Sequence, residues 1–267
     1  MNDQTQAEAA ERLLHGSSFG AVAAAYAEHR PDYAEAAVRW ALKPVWSRRP
    51  LRVVDLGAGT GKLTATLVRL GAEVTAMEPD QNMLAELRRE LPSVRSVRGS
   101  AEEIPLPDGS VDAVLAGQAM HWFDMDRALP EIARVLTPGG VLAGLWNVDD
   151  DRVGWVADFA EMSKRKATIT LLRWRDGAAQ SRQERILADG SGFFHAGQTG
   201  EFEHGQTRTA DSLLATIATH SNFLVMEESE RTRLLAQVRD FLQARPETSH
   251  GEFVLPMVTV ALRALRK

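Results

Sequence analysis

Residues 53–61 of the chain read Val-Val-Asp-Leu-Gly-Ala-Gly-Thr-Gly. The apolar half of this segment, which begins at Leu51, has the length and composition of a buried strand. Three closely spaced glycines follow it. They allow a tight turn and let the backbone approach a ligand, because a side chain there would occupy the ligand's place. The segment therefore predicts a buried strand that ends in a ligand-binding turn.

The flanking sequence alternates between helix and strand patterns. Leucines at 63, 67 and 70 predict a helix that ends at Gly71, and residues 74–77 predict a second strand. Further strands are expected at 94–97, 111–116 and 141–146, with amphipathic helices between them. This order is typical of an α/β fold with a mostly parallel sheet covered by helices on both faces.

An acidic residue follows the second strand. Glu78 lies 21 residues after Gly57, where a carboxylate can accept hydrogen bonds from both hydroxyls of a ribose. A tight strand-to-helix connection alone would also explain the glycines, but it would not explain the acid. The pair favours a nucleoside-binding site.

Two other nucleotide motifs fit poorly. A dinucleotide fingerprint requires glycine or alanine at position 62, where the chain has Lys62. A P-loop requires a hydroxyl after its lysine, and Leu63 stands there instead. An NAD-dependent oxidoreductase is therefore a weaker alternative.

Composition limits the partners. The net charge of −5 and the pI near 5.8 disfavour nucleic acid, so no nucleic-acid partner is expected. The chain has no cysteine and no apolar run long enough to span a bilayer, and its polar, alanine-rich start does not resemble a signal peptide. These features favour a cytoplasmic protein, with no membrane partner, that acts on a small molecule.

Four motifs in order resemble class I S-adenosylmethionine-dependent methyltransferases, in particular the small-molecule group similar to ubiquinone/menaquinone and trans-aconitate methyltransferases. They are residues 53–61, Glu78-Pro79-Asp80, the segment 99–108 and the segment 134–140. The resemblance implies a Rossmann-like sheet of seven strands whose last strand, near 258–262, is antiparallel. It also implies S-adenosyl-L-methionine as cofactor and S-adenosyl-L-homocysteine as product.

The same resemblance implies a set of cofactor contacts. Gly57 and Gly59 would face the methionine moiety, Glu78 would bind the ribose, and Ala101 with a nearby acid would read the adenine. Relatives often have aspartate where this chain has a serine before Ala101, so Glu102 is the candidate acid. The full predicted set is Tyr26, Arg30, Asp55, Gly57, Ala58, Gly59, Glu78, Pro79, Ala101, Glu102 and Gln118.

In that set Arg30 would pair with the cofactor carboxylate, and the ring of Tyr26 would lie near the sulfonium. Two alternatives are equally open: Tyr26 could only pack against a helix, and Arg30 could be a surface charge.

Acceptor-side residues are predicted from the strand ends. His121 is the candidate general base, although histidines at such junctions often only hold a pocket together. Trp122, Trp146 and Asn147 are expected to line the substrate pocket, and His220 and Asn222 are weaker candidates. No metal site is expected, because the adjacent aspartates 149–151 resemble a solvated bend.

The predicted organisation is a single domain in four parts. These are an N-terminal helical lid (1–48), a cofactor-binding core (49–150), a cap or insertion (151–195) and a C-terminal completion of the same sheet (196–267). The predicted activity is in-line methyl transfer to a small-molecule acceptor, with oxygen, nitrogen and carbon all open as acceptor atoms. A cofactor-binding protein without catalysis remains the alternative from another class, and the oligomeric state is open.

Overall fold

A mixed sheet runs through the computed structural model, which describes residues 31–162, 175, 187–218, 223 and 226–267. The strands are β1 (Arg52–Leu56), β2 (Glu73–Met77), β3 (Arg95–Val97), β4 (Val111–Gly117), β5 (Leu136–Asp149), β6 (Gln198–Arg208) and β7 (Phe253–Leu265). The helices are α1 (Glu35–Leu42), α2 (Lys62–Arg69), α3 (Gln81–Glu90), α4 (Met125–Val135), α5 (Gly154–Met162), α6 (Ala210–Ala218) and α7 (Glu228–Gln243). Short 3-10 helices occupy Lys43–Val45 and Met120–Trp122.

The strand order across the sheet is β3-β2-β1-β4-β5-β7-β6. The first five of these strands are parallel, whereas β7 runs antiparallel to β5 and to β6. The chain order reverses between β1 and β4, so a crevice opens at their carboxyl ends, where ligands bind in open α/β sheets. The predicted seven-stranded, mostly parallel fold is confirmed.

Alternate residues of each strand enter two separate cores. Val53 of β1 packs with α1 and α2 on one face, and Val54 packs with α4 on the other. Because both faces are covered, the central strands are apolar at almost every position, as the sequence of β4 shows. The cores fix the strand ends, and with them the crevice.

Helix α2 begins directly after the glycine turn. Gly61 has a left-handed backbone with φ of +92°, which places the next residue at the first position of the helix. Leu63 and Leu67 are buried against the sheet, and Gly71 ends the helix with φ of +81°. The predicted helix and its stop are confirmed.

The structure differs from the sequence-based elements in the second half of the chain. The Pro138-Gly139-Gly140 turn is not a separate connection: Leu136 already pairs with Val111, and residues 137–140 form a bulge before Val141 pairs with Ala113. Strand β5 then continues to Asp149, three residues beyond the predicted end.

A third core joins the ends of the long antiparallel strands to three helices. Phe253, Leu255 and Met257 of β7 pack against α5, α6 and α7. Helix α5 belongs to the predicted cap at 151–195, of which residues 163–174 and 176–186 lie outside the described part. No helix in the described ranges is long and apolar enough to cross a membrane.

Asp112 ties the start of β4 to the start of β1. Its carboxylate accepts hydrogen bonds from the Arg52 N–H at 2.9 Å, from the Arg52 guanidinium at 3.0 and 3.1 Å, and from Arg48 at 3.0 Å. Burial alone would raise the pKa of Asp112, but the hydrogen bonds from Arg52 and Arg48 outweigh it and hold this pKa below its usual value.

We expect Asp112→Asn to reduce the free energy of unfolding at pH 7 by about 1–2 kcal/mol, a value that allows for the partial exposure of both arginines. The folded pKa of Asp112 is lower than the unfolded one, so this stabilisation should shrink as the pH falls below about 4. Urea unfolding at several pH values measures it. Asp108→Asn, at an ion-paired side chain that is 80% exposed, is the control and should change stability little. A pH-independent difference would contradict the assignment.

Candidate functional site

A cavity lies at the carboxyl ends of β1 and β4. The space between its walls, counted out into the open solvent at its mouth, is about 490 Å³. Its walls come from the glycine turn, the start of α2, the end of β4, one residue of β5 and the segment before α1. The lining residues are Pro31, Tyr33, Asp55, Gly57, Ala58, Gly59, Thr60, Lys62, Leu63, Gly117, Gln118 and Asn147.

The glycine turn brings bare backbone to the cavity. Gly57 and Gly59 both have positive φ, at +71° and +56°. The N–H groups of Gly57 and Ala58 donate to the Met77 carbonyl at 2.9 Å, so the turn is attached to the end of β2. A Cβ at Gly57 would lie 2.6 Å from Ala119, whereas one at Gly59 would meet nothing within 4 Å among the described residues. Space beside Gly59 is therefore available to a ligand.

Glu78 is held by two backbone N–H groups. Gly59 donates to its Oε2 at 2.8 Å and Asp80 donates to its Oε1 at 2.9 Å. Burial raises the pKa of Glu78, and these two hydrogen bonds oppose that rise. A carboxylate has about four acceptor sites, so two remain for a ligand such as a pair of ribose hydroxyls.

Asp55 is a buried carboxyl group in the cavity wall. Its Oδ2 accepts a hydrogen bond from the Thr64 hydroxyl at 2.5 Å. Its Oδ1 and the hydroxyl of Thr60 have no hydrogen-bond partner within the described ranges. Burial, with a smaller contribution from the charge of Glu78, raises the pKa of Asp55 to about 7 against the opposing Thr64 bond. Such unsatisfied buried atoms are rare in proteins and suit a polar ligand.

The segment before α1 is fastened over the cavity by side chains from β5 and β7. The amide of Asn147 donates to the Asp32 carbonyl at 3.1 Å, and Thr259 donates its hydroxyl to Asn147 at 2.7 Å. The Thr259 oxygen also accepts the Ala34 N–H at 3.0 Å. These bonds place Tyr33 so close to the end of β4 that a Cβ at Gly117 would lie 2.4 Å from the Tyr33 hydroxyl.

Gln118 links β4 to β5 beside the cavity. It is the one non-glycine residue with positive φ, +54°, in the described part of the chain. Its N–H donates to the Leu145 carbonyl at 2.9 Å, and its side-chain amide donates to the Asn147 carbonyl at 3.0 Å. Strain of this kind concentrates at functional sites.

The predicted cofactor residues fall into four groups. The first group lines the cavity and consists of Asp55, Gly57, Ala58, Gly59 and Gln118. Glu78 contacts this wall, because its carboxylate accepts a hydrogen bond from the Gly59 N–H. The Pro79 carbonyl accepts a hydrogen bond from Arg98. Ala101 is buried, and the Glu102 carboxylate accepts the Asp124 N–H at 2.9 Å. Tyr26 and Arg30 lie outside the described residues, as do the weaker acceptor-side candidates His220 and Asn222.

Three of the four acceptor-side candidates are not in the cavity wall. His121 lies in the 3-10 helix after β4, with its ring 4.6 Å from that of Trp122. Burial lowers the pKa of His121 to about 4. Trp146 is buried in the core on the α4 face and packs over Gly144. Of the four, Asn147 lines the cavity.

The expectation of a solvated bend at 149–151 is wrong for two of its residues: Asp149 is the last residue of β5, and Asp150 is buried and paired with Arg152 at 2.6 Å. No group of three or more potential metal-ligating side chains occurs in the ranges that the structure describes.

Six lining residues are absent from the site predicted from the sequence: Pro31, Tyr33, Thr60, Lys62, Leu63 and Gly117. Thr60 stood inside the glycine motif, and Lys62 served only as an argument against a dinucleotide site. The position of Lys62 directly after the turn could have identified it as a site residue, since the first residue of such a helix adjoins the ligand.

Comparison with known proteins identifies the family of the chain. Residues 54–144 match a methyltransferase domain family. An uncharacterised methyltransferase of Mycobacterium tuberculosis is 41% identical over 248 residues, which cover 92% of this chain and 95% of the relative. A malonyl-[acyl-carrier protein] O-methyltransferase of Methylococcus capsulatus is 38% identical over 149 residues, 51% of this chain and 52% of the relative.

A solved structure assigned as a type II methyltransferase from Anaeromyxobacter dehalogenans superposes with a TM-score of 0.59 at 25% identity, covering 89% of this chain and 96% of that one. With this fold, this family match and these relatives, the chain belongs to the class I S-adenosylmethionine-dependent methyltransferases.

Proposed function

We propose that this methyltransferase binds S-adenosyl-L-methionine in the cavity at the ends of β1 and β4 and methylates a small-molecule acceptor there by in-line displacement. The observation that carries the proposal is the Glu78 carboxylate. It is oriented by the N–H groups of Gly59 and Asp80 and keeps two acceptor sites for ribose hydroxyls. S-adenosyl-L-homocysteine is the proposed product.

The remaining wall fits the same cofactor. The Oδ1 of Asp55 lacks a hydrogen-bond partner within the described part of the chain and can accept from the ammonium of the methionine moiety. Gly57 and Gly59 let this moiety lie against the backbone. Ala101 and Glu102 are the proposed adenine contacts, and the Glu102 carboxylate keeps acceptor sites beyond its bond to Asp124. Tyr26, Arg30, Pro79 and Gln118 complete the proposed set.

When bound, the cofactor supplies a methyl group on a positively charged sulfur. The protein's part is to orient the acceptor on the line of the breaking bond and to exclude water. Tyr33 and Asn147 are placed for this task, because they close the cavity from the side of β5. Asn147 is therefore our proposed acceptor-side residue, whereas Trp122 and Trp146, which were also expected in the substrate pocket, lie outside the cavity wall.

The basicity of His121 bears on the acceptor. With a pKa of about 4 its imidazole is neutral at pH 7 but holds a proton weakly, which makes it a poor base for an amine or phenol. An acceptor that is already ionised, such as a carboxylate, needs no proton removed. The partial similarity to an enzyme named for O-methylation of a malonyl group supports this class.

We expect Glu78→Gln to weaken binding of S-adenosylhomocysteine at least about tenfold. The amide cannot accept both backbone N–H groups while it also accepts from the ribose. Isothermal titration calorimetry measures the change. Glu73→Gln, at the exposed start of the same strand, is the matched control and should bind as the wild type does. Equal affinity in the two variants would remove Glu78 from the site.

Binding of S-adenosylhomocysteine should also depend on pH through Asp55. Because the pKa of Asp55 is about 7 in the ligand-free protein, the carboxyl must lose its proton before it can pair with the ligand's ammonium. Affinity should therefore fall as the pH drops from 8 to 6, by up to about tenfold per pH unit below 7. Asp55→Asn should bind more weakly and flatten this profile. A flat profile in the wild type would count against the ammonium contact.

Turnover tests the catalytic part of the proposal. Purified protein supplied with methyl-labelled cofactor and a cell extract should release labelled product and S-adenosylhomocysteine. If His121 does not act as a strong base, His121→Gln should lower this rate by less than about tenfold and leave cofactor affinity unchanged. Cofactor binding without release of either product would favour the non-catalytic alternative.

A further inference from the structure

Lys62 is a cation at the amino end of a helix. It is the first residue of α2, and the first turn of this helix contains no acidic residue and no side-chain cap. The helix dipole makes this end electropositive, so proteins favour acidic groups there and a lysine is unfavourable. A positive side chain at this place suggests that an anion completes the site.

The hydroxyl of Thr60 is a second, independent sign of a missing polar partner. Thr60 precedes the N-cap Gly61, is only 5% exposed and lines the cavity. Its Oγ1 makes no hydrogen bond within the described ranges. A buried hydroxyl without a partner costs free energy unless a ligand satisfies it. An anionic oxygen beside Thr60 and Lys62 would serve both side chains.

The present partner of Lys62 is weakly held. The Lys62 ammonium lies 3.6 Å from the Asp32 carboxylate, and this aspartate side chain is 62% exposed, against 28% for the lysine. Such an open pair contributes little stability, so a buried anion can replace Asp32 at small cost. Lys62, which already lines the cavity, can therefore exchange Asp32 for a ligand at small cost to the fold.

The two ends of the cavity wall carry complementary chemistry. Asp55 lies at the end of β1 and presents an acceptor without a partner within the described residues, and Lys62 and Thr60 present donors on the other side of the glycine turn. This arrangement suits an α-amino acid zwitterion, whose ammonium and carboxylate are separated by one carbon.

We propose that Lys62, with the Thr60 hydroxyl, binds the α-carboxylate of the methionine moiety and exchanges Asp32 for it when the cofactor enters. The inference rests on the proposed function, since it concerns the same cavity. It assigns the carboxylate to the helix start, whereas the family resemblance offered Arg30 for this contact. It also makes residue 62, after the last glycine of the turn, a determinant of cofactor affinity.

Calorimetry with two ligands that differ only in the carboxylate tests the inference. The ligands are S-adenosylmethionine and decarboxylated S-adenosylmethionine. Wild type should prefer the first by about tenfold or more, the effect of one charge-assisted contact. Lys62→Met keeps an unbranched side chain, one atom shorter and uncharged, and should abolish this preference by weakening binding of the carboxylate-bearing ligand alone. Arg69→Met, on the same helix and outside the cavity wall, should keep the preference.

A second variant tests the Lys62–Asp32 ion pair by changing Asp32. Asp32→Asn removes the competing carboxylate, so it should bind S-adenosylmethionine at least as tightly as the wild type and leave the decarboxylated ligand unaffected. Three results would each overturn the role of Lys62. Lys62→Met could retain the preference, or it could lose affinity for both ligands equally. Asp32→Asn could bind S-adenosylmethionine selectively more weakly. If the wild type binds neither ligand, the proposed function itself fails.

Discussion

Two backbone N–H groups, from Gly59 and Asp80, converge on the carboxylate of Glu78, and the geometry of the whole site depends on this contact. It forms because β1 and β2 pair in parallel with Leu56 beside Met77, which brings the turn after one strand to the acid after the other. The hydrogen bonds fix the carboxylate and the glycine turn relative to each other. A ligand bound here would therefore meet acceptor atoms that are already oriented, so binding would require little further ordering of the protein.

The cavity wall holds polar groups at the expense of stability. The pKa of Asp55 is raised to about 7, above its ordinary value near 4, so the folded state disfavours the ionised form. The stability associated with the protonated group is complete below pH 4 and is lost as the pH rises to about 7. The buried Thr60 hydroxyl has no hydrogen-bond partner among the described residues, and this also lowers the stability of the folded state. A cationic and hydrogen-bonding ligand would relieve both, which explains why such residues stand in an otherwise apolar core.

The sequence predicted the parts of the fold that local pattern determines. These parts are the apolar strand β1, the glycine turn and the leucines of α2. Their residue spacing, and the glycines that end each element, fit an α/β fold better than any other fold class. Strand β6 escaped prediction because it is an edge strand of polar residues, paired on one side with β7. Trp146 shows a second limit. A residue near a strand end was expected in the pocket, but the two-residue period of β5 turns Trp146 to the α4 face and Asn147 to the cavity.

Long-range hydrogen bonds were the part of the site that no pattern could reveal. Thr259 accepts the N–H of Ala34 from 225 positions away and donates to Asn147. One buried hydroxyl thus joins the last strand, the fifth strand and the segment that covers the cavity. Since β7 inserts between β5 and β6, it must be paired before this junction exists. The contact between the glycine turn and Glu78 lies within the first half of the chain, whereas the segment that covers the cavity is held by Thr259, near the carboxyl end.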